Sequence, residues 1–95
     1  RRKDLSYEEF VNHWLHTHAE LCKKLPNMRR YSVNLIDRSQ VDAFGYDGFS
    51  ELWFDSVEVL QAALASPEGK TLLSDLPNFM DSIHPLLVED YLMLG

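Results

Sequence analysis

Arg30-Tyr31-Ser32-Val33-Asn34-Leu35-Ile36 alternates polar and apolar side chains, and Gly48-Phe49-Ser50-Glu51-Leu52-Trp53-Phe54 is a second short run rich in aromatic and aliphatic residues. Both read as strands, because successive side chains of an extended chain point to opposite faces. The polar stretch Asp37 to Asp47 separates them, and Asp47-Gly48 is the turn signal that opens the second run. Alternation puts Tyr31, Val33 and Leu35 on one face of the first strand, and Arg30, Ser32 and Asn34 on the other. On the second strand Ser50, Leu52 and Phe54 share a face, and Phe49, Glu51 and Trp53 share the opposite one.

Working outward, Ser6-Tyr7-Glu8-Glu9 is a capping box that starts a helix running from Tyr7 to Leu25, where Leu25-Pro26-Asn27 ends it. Phe10, Val11, Trp14, Leu15, His18, Leu21, Cys22 and Leu25 mostly follow the i, i+3, i+4 spacing of one core-facing stripe. After the second strand, Asp55 and Ser56 cap a helix over Val57 to Ala65. Ser66-Pro67-Glu68 is a fresh N-cap with proline at the first helical position, opening a third helix to Asp75 before Pro77 breaks it. Leu86, Leu87, Val88, Tyr91, Leu92 and Leu94 make His84 to Leu94 a last strand, interrupted by Glu89-Asp90. The order is α-β-β-α-(α)-β. One strand in front of Arg1 completes βαββαβ, so the expected fold is α+β and ferredoxin-like. Residues 1–95 then form a single domain, with an antiparallel sheet, helices on one face and a first strand lost before residue 1. The other sheet face needs a cover, and a second copy of the chain is the simplest one.

Composition narrows the function classes. Ninety-five residues, 45% apolar and 25% charged, suit one globular domain with a thin core. A net charge of −6 argues against nucleic acid as the main partner, since phosphate binding needs a basic field. The single cysteine, Cys22, excludes a disulfide framework and points to a reducing, cytoplasmic setting. No apolar run approaches the ~18 residues of a membrane span. The four glycines fit no phosphate-binding loop, and no flavin, nicotinamide or haem signature is present, so no cofactor is expected.

The run Phe10-x-x-x-Trp14-x-x-x-His18-Ala19-x-Leu21, then Lys24-Leu25-Pro26-Asn27-Met28-Arg29-Arg30-Tyr31 and Asn34, resembles the EthD family of the dimeric α/β-barrel superfamily. So does the second block, Tyr46-Asp47-Gly48-x-x-Glu51-Leu52-Trp53-Phe54-Asp55-Ser56 with Ala65-Ser66-Pro67-Glu68-Gly69. The resemblance covers Leu5 to Gly69 well and the tail weakly. It implies a ferredoxin-like protomer, a homodimer paired sheet to sheet, and a ligand cleft between each sheet and its own helices. It also implies an activity range that includes lactone isomerases and polyketide-tailoring cyclases or decarboxylases. The match places Ser50 and Leu52 on the helix side, lining the cleft, and turns Glu51 into the barrel, where Arg30 or Asn34 is its expected partner.

His18 is the first candidate for chemistry. It lies on the apolar stripe between Trp14 and Cys22, where a neutral imidazole can take a proton from one ligand atom and return it to another. A structural histidine satisfied by a carbonyl is the alternative. Tyr31 is its natural partner as a hydrogen-bond donor to a ligand carbonyl, the alternative being a core phenol bonded to backbone. Trp14 shapes a pocket wall, and Cys22 is a core thiol on the same stripe. His13 and His16 have the spacing of a metal pair, but no third ligand is placed beside them, so no metal is expected and both read as surface residues. Two functions follow. In one the cleft is the site of a cofactor-independent isomerase, cyclase or decarboxylase acting on a small aromatic, lactone or polyketide-like molecule. In the other it is a non-catalytic small-molecule binding module or an accessory protein of a degradation pathway.

Overall fold

The computed structural model describes residues 1–95. Ser6 starts the first helix as the capping box requires: its hydroxyl accepts from the Glu9 N–H at 3.1 Å, and the Glu9 carboxylate accepts from the Ser6 N–H at 2.9 Å. The helix begins as α1, Tyr7–Asn12, widens into a π-helical segment, His13–His18, and returns to α geometry as α2, Ala19–Cys22. Inside the wide stretch the Ala19 N–H donates to the Trp14 carbonyl, five residues back. A turn then carries the chain through Asn27, whose φ of 61° is the left-handed conformation that asparagine tolerates at helix ends.

β1, Arg30–Leu35, and β2, Gly48–Trp53, pair antiparallel with Arg30 opposite Trp53 and Leu35 opposite Gly48. A one-turn helix, α3, Val41–Phe44, lies in the connection. In this register Tyr31 faces Leu52 and Val33 faces Ser50, on the side covered by helices. Gly48 is required at the end of the ladder. A Cβ there would lie 2.5 Å from the Asn34 carbonyl oxygen and 2.8 Å from the Trp14 ring, so only glycine lets the indole lie against the strand.

Ser56 caps α4, Val57–Ala65, and Ser66 both closes α4 and opens α5, Pro67–Asp75. Its hydroxyl accepts from the Gly69 N–H at 3.1 Å and donates to the Ala63 carbonyl. A short 3₁₀ turn, Leu76–Asn78, follows. The core has two centres. Cys22, Leu25, Ala63 and Leu72 form one, with Tyr31, Leu52 and Phe54 packed on it; Phe10, Trp14 and Phe79 form the other, with Val33 and Leu76 against it.

Two expectations are corrected. The sheet has two strands, rather than the three that the expected order places within residues 1–95. The strand expected over His84–Leu94 does not form, and no backbone–backbone hydrogen bond involves a residue beyond Met80. A strand is held by a neighbour's backbone groups, and β1 and β2 pair only with each other. Its apolar side chains, from Leu86 to Leu94, stay exposed.

Candidate functional site

The polar centre of the molecule is Asp75, at the C-terminal end of α5, buried with only 7% of its surface exposed. Three side chains converge on it. His18 Nδ1 lies 2.9 Å from Oδ2, His13 Nε2 lies 3.0 Å from both carboxylate oxygens, and the Asn78 amide donates to Oδ1 at 2.9 Å. Phe79, fully buried, closes the group from the fourth direction: its ring is stacked on His13 at 4.9 Å and tilted against His18 at 4.8 Å.

The π-helical turn makes this convergence possible. In an α-helix, residues five apart point roughly 140° away from each other. The wider turn brings His13 and His18, five apart, to one carboxylate. Two hydrogen bonds to a charged acceptor offset the poorer geometry of the wide turn.

Burial by itself raises a carboxyl group, but the hydrogen bonds from Asn78, His18 and His13 outweigh it and hold Asp75 below the ordinary carboxylate value. An ionised carboxylate only accepts, so each imidazole nitrogen that faces it carries a hydrogen. That assigns Nδ1–H to His18 and leaves its Nε2 as the basic nitrogen. Burial pushes His18 below the ordinary imidazole value, against the opposing pull of Asp75, so the ring is neutral at pH 7. The arrangement is an imidazole whose tautomer and orientation are held by a carboxylate, the form a proton-transfer histidine needs.

The other expected residues lie in the neighbouring half of the core. Tyr31 is half-buried on the cluster of Cys22 and Leu25. Burial raises its phenol; the adjacent Cys22 thiol adds to that shift and the Trp14 indole opposes it. Burial also pushes the Cys22 thiol up to about 11, so it is a protonated core thiol rather than a nucleophile. Leu52 packs beside Tyr31, whereas Ser50, on the same sheet face, is exposed. His18 makes its one side-chain hydrogen bond to Asp75 and none to Tyr31. Trp14 packs with Phe10 and Phe79 and lies against the end of β2 at Gly48.

The space between sheet and helices is filled by these side chains. The open cavity beside it, of about 180 Å³, is lined by Phe10, Trp14, Tyr46, Asp47, Gly48 and Met80 among others, and neither His18 nor Tyr31 reaches it. Two site assignments change accordingly. His13, expected on the surface, is partly buried and turned away from His16 toward Asp75. Asp75 was not singled out in the sequence at all. The available signal was its place at the inward positions of α5, after Gly69 and Leu72, where a carboxylate is tolerated only with partners. On the outer sheet face, the Asn34 amide donates to Glu51 at 3.2 Å, as expected, and the Arg30 guanidinium lies over the Trp53 ring at 4.8 Å.

The EthD domain model matches residues 2–83, nearly the whole of the structured part. The chain belongs to the EthD family. A crystal structure of an EthD family protein from Bacillus halodurans C-125 superposes with a TM-score of 0.64 at 28% identity, covering 78% of this chain and 74% of that one. An uncharacterised 11.0 kDa protein from the thcB–thcC intergenic region of Rhodococcus erythropolis is 26% identical over 81 residues, which is 85% of this chain and 79% of the relative. This EthD-family chain is an α+β protein with a two-stranded antiparallel sheet, and no helix in it is long and apolar enough to cross a membrane.

Proposed function

We propose that this EthD-family chain is a cofactor-independent enzyme that binds a small hydrophobic molecule beside Trp14 and moves a proton with His18. The observation that carries the reading is the 2.9 Å bond between His18 Nδ1 and Asp75. It leaves Nε2 as an oriented, neutral base, and a base of that kind suits isomerisation, cyclisation or decarboxylation of an aromatic, lactone or polyketide-like compound. Tyr31, protonated at pH 7, is the donor to a ligand carbonyl, with Trp14, Cys22, Ser50 and Leu52 as the surrounding surface. The 180 Å³ space at the Trp14 end has Phe10, Trp14 and Met80 on one side and Arg1, Asp47, Asp81 and Ser82 on the other, so a ring bearing polar groups suits it. For that ring to reach His18 and Tyr31, neither of which lines this space, the side chains around Trp14 must rearrange.

The working form in this reading is a cytoplasmic homodimer. Phe49 is 52% exposed on the outer sheet face that it shares with Trp53, and a second copy is the cover that face suits. A second function is favoured by one observation: the cavity does not include His18. In that case the chain is a non-catalytic binding or accessory protein, and the Asp75 cluster serves stability alone. Native mass spectrometry of the purified chain, followed by a substrate screen, separates the two. A dimer carrying a small molecule, with turnover abolished in His18→Ala and reduced in Tyr31→Phe, supports the enzyme. Ligand loading and turnover unaffected by His18→Ala would leave only the binding role.

A further inference from the structure

The open space at the Trp14 end carries charged groups that an apolar ring has no use for, and the proton-transfer reading uses none of them. We propose that this space is a binding site for a neutral aromatic ring bearing a hydroxyl group, and that Asp81 is the residue that selects the hydroxyl. The inference rests on the reading that a small molecule binds beside Trp14, and it narrows the class of that molecule.

The lining offers an apolar surface, open acceptors and an open donor. Phe10, Trp14 and Met80 give a ring its apolar contacts. Asp47 is already engaged: its side chain is 14% exposed, and it accepts from the Arg1 backbone nitrogen at 3.1 Å and from the Arg38 guanidinium at 3.3 Å. Asp81 is not engaged. Half of its side chain is exposed, and the Arg1 backbone nitrogen lies 3.6 Å away, too far for a hydrogen bond. Its oxygens are the open acceptors. The open donor belongs to Arg1, whose Nη1 donates to the Leu5 carbonyl at 2.8 Å while its Nε–H is buried with no hydrogen-bond partner. A buried donor left unpaired costs free energy, and a ligand oxygen beside it recovers that cost.

These two groups discriminate among ring substituents. A hydroxyl both donates and accepts, so it serves the Asp81 oxygen and the Arg1 N–H together. A carboxylate accepts from Arg1 but stands against two carboxylates. An ammonium donates to Asp81 but has no lone pair for Arg1 and sits beside its guanidinium. A methyl group serves neither and takes water away from both. The hydroxylated ring is the one that leaves both groups paired.

The test is an NMR titration of the full chain with four single-ring probes, followed through the two tryptophan indole N–H resonances. Phenol is expected to shift the Trp14 resonance saturably and to leave that of Trp53, on the outer sheet face, in place. Toluene, benzoate and benzylamine should bind about tenfold more weakly, the scale of one hydrogen bond to a charged group. Asp81→Ala removes a half-exposed side chain and should weaken phenol by about the same factor, with toluene unchanged. Asp42→Ala, an exposed position that does not line the space, should leave phenol binding as it was. Equal binding of phenol and toluene would overturn the proposal, and so would a preference for benzoate or benzylamine; that comparison needs no variant to fold. Phenol affinity unmoved in Asp81→Ala, or a Trp14 resonance that no probe shifts, would overturn it too. Because binding is read without turnover, phenol selectivity with no effect of His18→Ala on turnover would reject the enzymatic reading and leave this ligand class standing. Turnover lost in His18→Ala without any preference for phenol would do the reverse.

Discussion

The two faces of the β1–β2 hairpin carry large side chains in similar number, yet they have opposite fates. Tyr31, Val33 and Leu52 lie under helices and join the two core clusters. Arg30, Asn34, Phe49, Glu51 and Trp53 lie on the other side and satisfy one another locally, through an amide–carboxylate bond and a guanidinium over an indole. The inner face shows what packing adds to a strand: the helices that cover it also bring a buried carboxylate and two imidazoles to one point. On the outer face of the single chain the polar groups pair across the ladder and Phe49 is half exposed.

The contrast is broken most severely at Phe79, which touches both histidines, Phe10 and Trp14. Phe79→Ala should cost about 3–5 kcal/mol of folding stability, the usual range for a buried phenylalanine, read from urea denaturation. A loss below ~1 kcal/mol would mean that the inner face is not the stabilising one.

Asp75→Asn comes next. An amide oxygen cannot accept from both imidazoles and from Asn78, so one of these bonds is lost or one imidazole must change tautomer, at about 1–3 kcal/mol. The pH dependence sharpens the assignment. Asp75 is held below its ordinary 3.8, so its contribution is complete above that value and is lost as pH falls through the lowered one. His18 is held below 6.5, so the unfolded chain binds a proton first as pH drops below that value, and stability falls there too. The wild type should therefore lose stability in two acid stages, and Asp75→Asn should lack the lower one. Urea midpoints at about pH 7.5, 5 and 3.5 follow both stages.

Gly48→Ala tests the contact between the inner face and the first helix. The added methyl would overlap the Trp14 ring and the Asn34 carbonyl, and overpacking of this kind costs about 1–3 kcal/mol. Near-UV circular dichroism should report a displaced indole, and an unchanged spectrum would show that the strand end yields instead. The smallest effect on the fold of one chain belongs to the outer face. Phe49→Asp should change protomer stability by no more than about 0.5 kcal/mol. If a second copy covers that face, the same substitution should convert dimer to monomer in sedimentation measurements, and a dimer that survives it must pair elsewhere.

Much of this architecture is legible locally. Ser6, Ser56 and Ser66 announce their helices, because a hydroxyl at the N-cap bonds an amide two or three residues away. Alternation separates Leu52 from Glu51, and the resemblance to the EthD family says which of the two faces meets the helices; Asn34 opposite that face is then a partner for Glu51. The tail misled for a physical reason. Apolar residues from Leu86 to Leu94 have the composition of a strand, but a strand exists only where a neighbour offers a ladder.

The cluster at Asp75 lay beyond local reading. His13 and His18 fall on different sides of any regular α-helix, which is why periodicity sends His13 to solvent and His18 to the core. Their common acceptor is 62 and 57 residues away along the chain. By itself the sequence determined where the capped helices and the two strands of the hairpin begin, which residues share a strand face, and that His18 lies on the core stripe of the first helix. These depend on capping and on periods of 2 and 3.6, which neighbouring residues settle among themselves. Only the tertiary structure decided that the first helix widens at His13–His18, that Asp75 joins the two imidazoles, and that the tail stays unpaired. Those outcomes depend on which distant groups can satisfy a buried charge or an open ladder, and contacts of that kind exist only after the chain has packed.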